Sequence, residues 1–199
     1  MIQRVALLLL LGAAAGAAEQ PRDGLRHLAA PAAVEQTKPS IPDLLLVDQD
    51  GEKVRFYSDL VKGKVVAINF VFTTCTTICP PLGATFARIQ SLLGKRMGNQ
   101  LQLISISVDP AVDTPQRLKA WSDKFHRKPG WTLVTGTKPE VDALLVALGA
   151  EVAGKADHTP MILIGNDATG AWTRAYGLGG ATQVAKSIES IAGQPQVAR

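Results

Sequence analysis

The chain has 199 residues, 46% hydrophobic and 19% charged, a composition that suits one folded domain with a full core and excludes a disordered or membrane-embedded polypeptide. The formal net charge of +4 is mild. Its cations, Lys62, Lys64, Arg88, Lys95, Arg96, Lys119, Lys124, Arg127 and Lys128 among them, are interspersed with acids and apolar residues, so no nucleic-acid partner is expected.

The first element is an export signal. Arg4, the apolar run from Val5 to Leu11 and the small residues up to Ala18 have the layout of a secretory signal peptide over residues 1–18, with cleavage expected near Ala18. The run is short for a membrane span, and an uncleaved N-terminal anchor in the inner membrane is the alternative. No cysteine lies near residue 20 to carry a lipid. The expected location is the periplasm of a Gram-negative bacterium, where disulfides form and persist. Residues 19–40, with Pro21, Gly24, Pro31 and Pro39, read as a linker, residues 41–193 as the domain and 194–199 as a tail.

Leu44 to Val47 and Val54 to Phe56, flanking Asp50-Gly51, predict an N-terminal β-hairpin. The run Val65 to Phe72, apolar except for Asn69, predicts a strand buried on both faces. Leu82, Phe86, Ile89, Leu93 and Met97 recur at helical steps, with Pro80 and Pro81 in the first turn. A strand over 101–108 follows, then a helix carrying Leu118, Trp121 and Phe125 that Asp113 or Thr114 can cap. Trp131 to Val134 predicts a short strand, and Val141, Leu144, Leu145 and Leu148 a helix. The strand Met161 to Ile164, a turn over 165–170, the strand Ala171 to Tyr176 and a helix with Val184, Ile188 and Ile191 complete the chain. This alternation implies an α/β protein with a mixed central sheet flanked by helices. Trp121, Trp131 and Trp172 are expected in the packing, and the Asp109-Pro110 and Asp113-Thr114-Pro115 stretches as strand end and helix cap.

Cys75 and Cys79 are the only cysteines, and they sit between the buried strand and the following helix. So small a loop gains little from a structural disulfide, which makes an inert staple a poor reading and a chemical role a better one. A helix N-terminus favours the thiolate, the species that attacks disulfides and binds metals. Two thiolates suit Cu(I) or zinc and are poor ligands for magnesium or calcium. Of the three histidines, His27 falls in the linker and His126 in the basic stretch Lys124 to Lys128. His158, in Asp157-His158-Thr159-Pro160, precedes a strand expected beside the cysteine strand, which makes it the candidate third ligand.

The pattern Phe72-Thr-Thr-Cys75-x3-Cys79-Pro80, followed by Ser107-Val-Asp109-Pro110, Asp113-Thr-Pro115, Trp131 to Gly136 and Asp157-His158-Thr159, resembles the Sco/SenC family over roughly residues 40–180. The resemblance implies a thioredoxin-like fold that binds copper, as Cu(I) or Cu(II), through Cys75, Cys79 and His158. It further implies a metallochaperone for the copper centre of a respiratory oxidase, with cytochrome c oxidase subunit II or a small periplasmic copper carrier as partner. Export and the resemblance favour copper over zinc. The chain departs from many relatives in carrying Thr76-Thr77 where they have Pro-Asp, which removes an acidic neighbour of the sulfurs. Pro160, directly after Thr159, invites comparison with the cis-proline that thioredoxins place beside their cysteines. This keeps a second reading open, a thiol-disulfide oxidoreductase with Cys75 as nucleophile and Cys79 as resolving thiol. Phe72 stands where a peroxiredoxin would carry Thr or Ser, which argues against peroxidase chemistry.

Overall fold

The computed structural model describes residues 38–151, 160–176 and 180–193. The signal, most of the linker, Asp157, His158, Thr159 and the C-terminal tail lie outside the described residues.

Strands β1 (Leu45–Asp48) and β2 (Lys53–Arg55) form the expected antiparallel hairpin. Its turn is closed by the Asp48 carboxylate, which accepts the amides of Asp50 and Glu52 at 2.9 Å each, and by Gly51 at φ +87°. Phe56 does not extend β2. It opens a π-helical turn, Phe56–Val61, that the sequence pattern did not announce and that buries Phe56, Leu60 and Val61.

Strand β3 (Val65–Val71) is buried at every position, and its side chains feed two cores in alternation. Val65, Ala67 and Val71 face one cluster, and Val66, Ile68 and Phe70 the other. Helix α1 (Cys79–Leu93) lays Leu82, Phe86, Ile89 and Leu93 on the first cluster. Met97, one step further along the stripe, is not helical, because the chain leaves α1 at Gly94 with φ +49° and passes through a 3₁₀ turn, Gly94–Arg96. Strand β4 (Leu101–Ser107) follows, then α2 (Pro115–Asp123), β5 (Trp131–Thr135) and α3 (Lys138–Ala147). Phe125, expected within α2, lies just beyond its end and packs edge-on against Trp121, with ring centroids 4.8 Å apart. Strands β6 (Met161–Asn166) and β7 (Ala171–Tyr176) and helix α4 (Ala181–Ala192) complete the described fold.

The seven strands run in the order β2-β1-β5-β4-β3-β6-β7. The central strands β3, β4 and β5 are parallel, and the pairs to β1, β2, β6 and β7 are antiparallel. The cluster beneath α1, α2 and α4 holds Trp131, which meets Phe86 edge-on at 5.6 Å and donates its indole N–H to Ser105 Oγ at 2.9 Å. The opposite cluster is covered by α3 and the π-helical turn. Because β3, β4 and β5 point the same way, the loops after Val71, Ser107 and Thr135 open at one pole of the sheet. That is where such sheets gather functional groups. Among the described residues no helix is long and apolar enough to cross a membrane.

Candidate metal centre

Cys75 sits in the loop after β3, where its amide donates to the Phe72 carbonyl at 3.1 Å, and Cys79 is the first residue of α1. Both are free thiols and both are buried, Cys75 at 8% exposure and Cys79 at 0%. The Cys79 amide donates to the Cys75 sulfur at 3.3 Å, and the Thr77 hydroxyl stands 3.9 Å from the same sulfur. Thr77 thus faces Cys75 with a neutral hydroxyl, at the position where many relatives have a carboxylate.

The two sulfurs are made unequal by this arrangement. Burial works to raise the Cys75 thiol, but hydrogen bonds from the Cys79 thiol and from the amides of Cys79, Thr77 and Ile78 outweigh it and bring it down to about 7. Of these donors only the Cys79 amide belongs to α1, whose next residues Pro80 and Pro81 have no N–H, so the loop amides of Thr77 and Ile78 and the first helical amide together stabilise the sulfur. Cys79 is pushed up to about 12, first by burial, then by donating to Cys75 and by the negative charges of Cys75 and Asp113, with a backbone hydrogen bond from Phe72 opposing them. Near neutral pH ionisation therefore falls on Cys75, the more accessible sulfur, while Cys79 stays a thiol.

Of the two cap candidates for α2, Asp113 and Thr114, Thr114 is the cap, its hydroxyl accepting the Arg117 amide at 3.3 Å. Asp113 is fully buried instead and turns back toward the cysteine loop. Its carboxylate accepts the Thr73 amide at 3.1 Å, the Thr73 hydroxyl at 2.6 Å and the Ser107 hydroxyl at 2.7 Å. Ser107 also accepts the Asp109 amide at 3.1 Å, so the loops after β3 and β4 are tied into one unit. The available signal was Ser107, like Ser105 a hydroxyl in a strand buried throughout, where it needs a partner.

His126, set aside as a ligand, is exposed in a turn at φ +54°. His158, Asp157 and Thr159 lie outside the described residues; Pro160 is described, half-buried at the head of β6. Among the described residues no group of three His, Cys, Asp or Glu side chains is arranged to hold a metal. The donor set among the described residues is therefore the soft sulfur pair, which fits a thiophilic ion and needs a further ligand.

A mixed sheet with helices on both faces and a reduced dithiol at the N-terminus of the helix that follows a central parallel strand defines a thioredoxin-like protein. More narrowly, the chain belongs to the SCO1/SenC family, whose sequence model matches residues 32–193. It is 38% identical over 90 residues to the SCO1 protein homolog of Bacillus subtilis, covering 45% of each chain. It is 36% identical over 99 residues to a SCO2-like protein of Rickettsia conorii, covering 50% of this chain and 46% of that one. The chain thus spans about half the length of the curated relatives it matches. A SCO1/SenC family lipoprotein from Bacillus anthracis superposes with a TM-score of 0.66 at 23% identity, over 78% of this chain and 96% of that one. Bradyrhizobium japonicum ScoI with copper bound superposes with a TM-score of 0.60 at 24% identity, over 74% and 96%. These two likenesses speak to the fold.

Proposed function

We propose that the protein is an exported copper metallochaperone for a respiratory oxidase, taking copper through Cys75, Cys79 and His158. The observation that carries this reading is the reduced sulfur pair held at one loop, with the Cys79 amide on the Cys75 sulfur. Family membership supports it, as do the copper-bound structures of similar fold. The sheet register adds a topological argument for the third ligand. Strand β6 runs antiparallel to β3 with Ile162 opposite Asn69, so the chain enters β6 at Pro160, at the cysteine end of β3. His158 stands two residues earlier in the sequence.

Copper is the cargo in this scheme. Cys75 offers a thiolate at neutral pH, whereas Cys79 must give up its proton as the ion arrives, so uptake releases a proton and requires the reduced pair. The receiving protein is an oxidase subunit, with subunit II the specific candidate, or a small copper carrier. Titration of the reduced protein with Cu(I) against a competing chelator tests the assignment. Binding no tighter than that of the Cys75→Ser, Cys79→Ser double variant sinks it, and His158→Ala is expected to weaken binding substantially.

The inequality of the two sulfurs favours a second reading, reduction of a disulfide in the partner's copper site. The Cys75 thiolate attacks one sulfur of the partner disulfide and forms a mixed disulfide as the partner's other sulfur leaves as thiolate. Cys79, on deprotonation, then attacks Cys75, releasing the second partner thiol and leaving a Cys75–Cys79 disulfide. The partner gains two electrons and this chain loses two. In Cys79→Ser the mixed disulfide through Cys75 should accumulate; its absence with any exported protein removes this reading. Loss of His158 separates the two, since disulfide exchange does not need it.

A further inference from the structure

We propose that the pole of the domain opposite Cys75 is a docking surface for an anionic phospholipid membrane. The parallel strands β3, β4 and β5 are neighbours, so their starts lie side by side, at the far end from the cysteine loop. Each start is preceded by cations: Lys62 and Lys64 before β3, Lys95 and Arg96 before β4, and Arg127 and Lys128 before β5. Backbone hydrogen bonds join these segments into one rim, from Val65 N to Gln100 O at 2.9 Å and from Leu103 N to Gly130 O at 2.8 Å.

Most of this charge is uncompensated. Lys62, Lys95 and Lys128 are exposed and make no ion pair among the described residues. Arg96 has only a long contact of 3.6 Å with Glu189, between two side chains open to solvent. Arg127 is paired with Asp50, 3.6 Å distant, in the hairpin turn beside the start of β5. Acids also stand at this rim: Asp50 at Arg127, Asp59, whose backbone carbonyl accepts the Lys64 ammonium, Glu189 at Arg96, and Asp167, which is occupied by Lys38 at 2.6 Å. At the cysteine pole, by contrast, the loops 72–78 and 108–114 contain no cation, and their charged residues are Asp109 and the buried Asp113.

Three further features single out a lipid surface rather than an acidic protein. Lys95 and Lys128 border one concavity together with Gln90, Gly94 and Met97, and no carboxylate lines it. Lys128 is held there through its backbone, which donates to Gln90 Oε1 at 3.1 Å and accepts from Gln90 Nε2 at 2.8 Å. A lipid phosphate here would meet two ammonium groups and no opposing carboxylate. Leu92, in the last turn of α1 and so toward this pole, is 42% exposed, an apolar side chain that a headgroup layer can cover. The chain also enters the described domain at this rim. Lys38 is joined to Asp167, whose amide donates to the Lys64 carbonyl at 3.0 Å. Resting on this pole, the domain presents Cys75 away from the surface, toward a partner in solution.

The experiment is co-sedimentation of the full chain with vesicles of phosphatidylcholine alone and with vesicles that also carry phosphatidylglycerol, at low and high salt. The apolar N-terminus is common to every variant and to both vesicles, so the readout is the gain caused by the anionic lipid. That gain should fall at least about tenfold in Lys62→Glu, Lys95→Glu, Lys128→Glu and in high salt, as expected for several cations near a charged surface. It should persist in Arg117→Glu, Lys138→Glu, Lys186→Glu, which changes the net charge equally at other places. An equal loss in both triple variants, or no gain from anionic lipid, overturns the proposal. Binding to polyglutamate without binding to anionic vesicles overturns it too, and assigns the pole to an acidic protein. Cu(I) affinity should be unchanged in both triple variants, so this result and the metal assignment fail independently.

Discussion

Asp113 holds Thr73 by two hydrogen bonds to one carboxylate oxygen, 3.1 Å from the amide and 2.6 Å from the hydroxyl. The contact joins the end of the cysteine strand to a residue 40 positions later, and a third bond from Ser107 completes the carboxylate's coordination. Asp113→Ala would leave three donors unpaired in a dry site, each costly to strand. The expected loss is about 2–4 kcal/mol in urea unfolding of the reduced protein. Asp113→Asn keeps the shape but removes the negative charge that helps to hold Cys79 protonated, so Cys79 should titrate lower than in the parent. A purely structural aspartate would change the unfolding midpoint and leave the thiol titration where it was.

Thr77 and Cys75 make a second informative pair, because the hydroxyl 3.9 Å from the sulfur occupies a place where many relatives have a carboxylate. Thr77→Asp puts a negative charge beside a thiolate. The Cys75 pKa should rise from about 7, and alkylation by iodoacetamide at neutral pH should slow by about three- to tenfold. Mass spectrometry of the alkylated peptide locates the reaction. An unchanged rate would mean that the loop amides, rather than the neighbouring charge, decide the reactivity of this sulfur.

The parts of this fold that were legible in the sequence are those whose burial is local. Strand β3 is covered on both faces and is therefore apolar at every position but Asn69, and the stripe from Leu82 to Leu93 is one face of one helix. The sulfur site was legible because both cysteines lie at a strand-to-helix junction. The role of Asp113 was not, since Asp before Thr-Pro is also what a helix cap looks like, and only the spatial meeting with Thr73 distinguishes the two. The π-helical turn of Phe56–Val61 spans too few residues for its periodicity to show. Met97 kept the spacing of α1 but lost the helix to the backbone of Gly94.

Gly165 illustrates the same limit. It reads as the first residue of a turn, yet it lies inside β6 opposite Trp172 of β7, and a Cβ placed on it would fall 2.3 Å from the indole ring. Trp172 is itself buried, so the ring has no solvent to retreat into. Gly165→Ala should therefore destabilise the protein by about 1–3 kcal/mol through overpacking, although alanine is the smallest possible addition. Combining it with Trp172→Leu, which vacates the space, should reduce the cost of the alanine. If the two losses simply add, the two residues do not compete for that volume.

The unequal thiols also give the reduced protein a characteristic stability profile against pH. Cys75 titrates at about 7 in the folded chain against the ordinary thiol value of 9.0. Between those values the unfolded chain holds a proton that the native chain has released, so stability rises with pH and the contribution is lost as pH falls through about 7. Cys79 has the opposite sign. It stays protonated in the fold up to about 12, while the unfolded thiol ionises near 9.0, so stability declines above pH 9. The pair's contribution should peak near pH 9, with slopes on either side no steeper than about 1.4 kcal/mol per pH unit for a single proton. Urea unfolding of the reduced protein across this range, taken as the difference from the Cys75→Ser, Cys79→Ser variant, isolates the pair from the other titrating groups. Cys75→Ser alone should erase the rising limb and keep the falling one. A difference profile that is flat between pH 7 and 9 would show that the amides of Thr77, Ile78 and Cys79 do not hold a thiolate at Cys75.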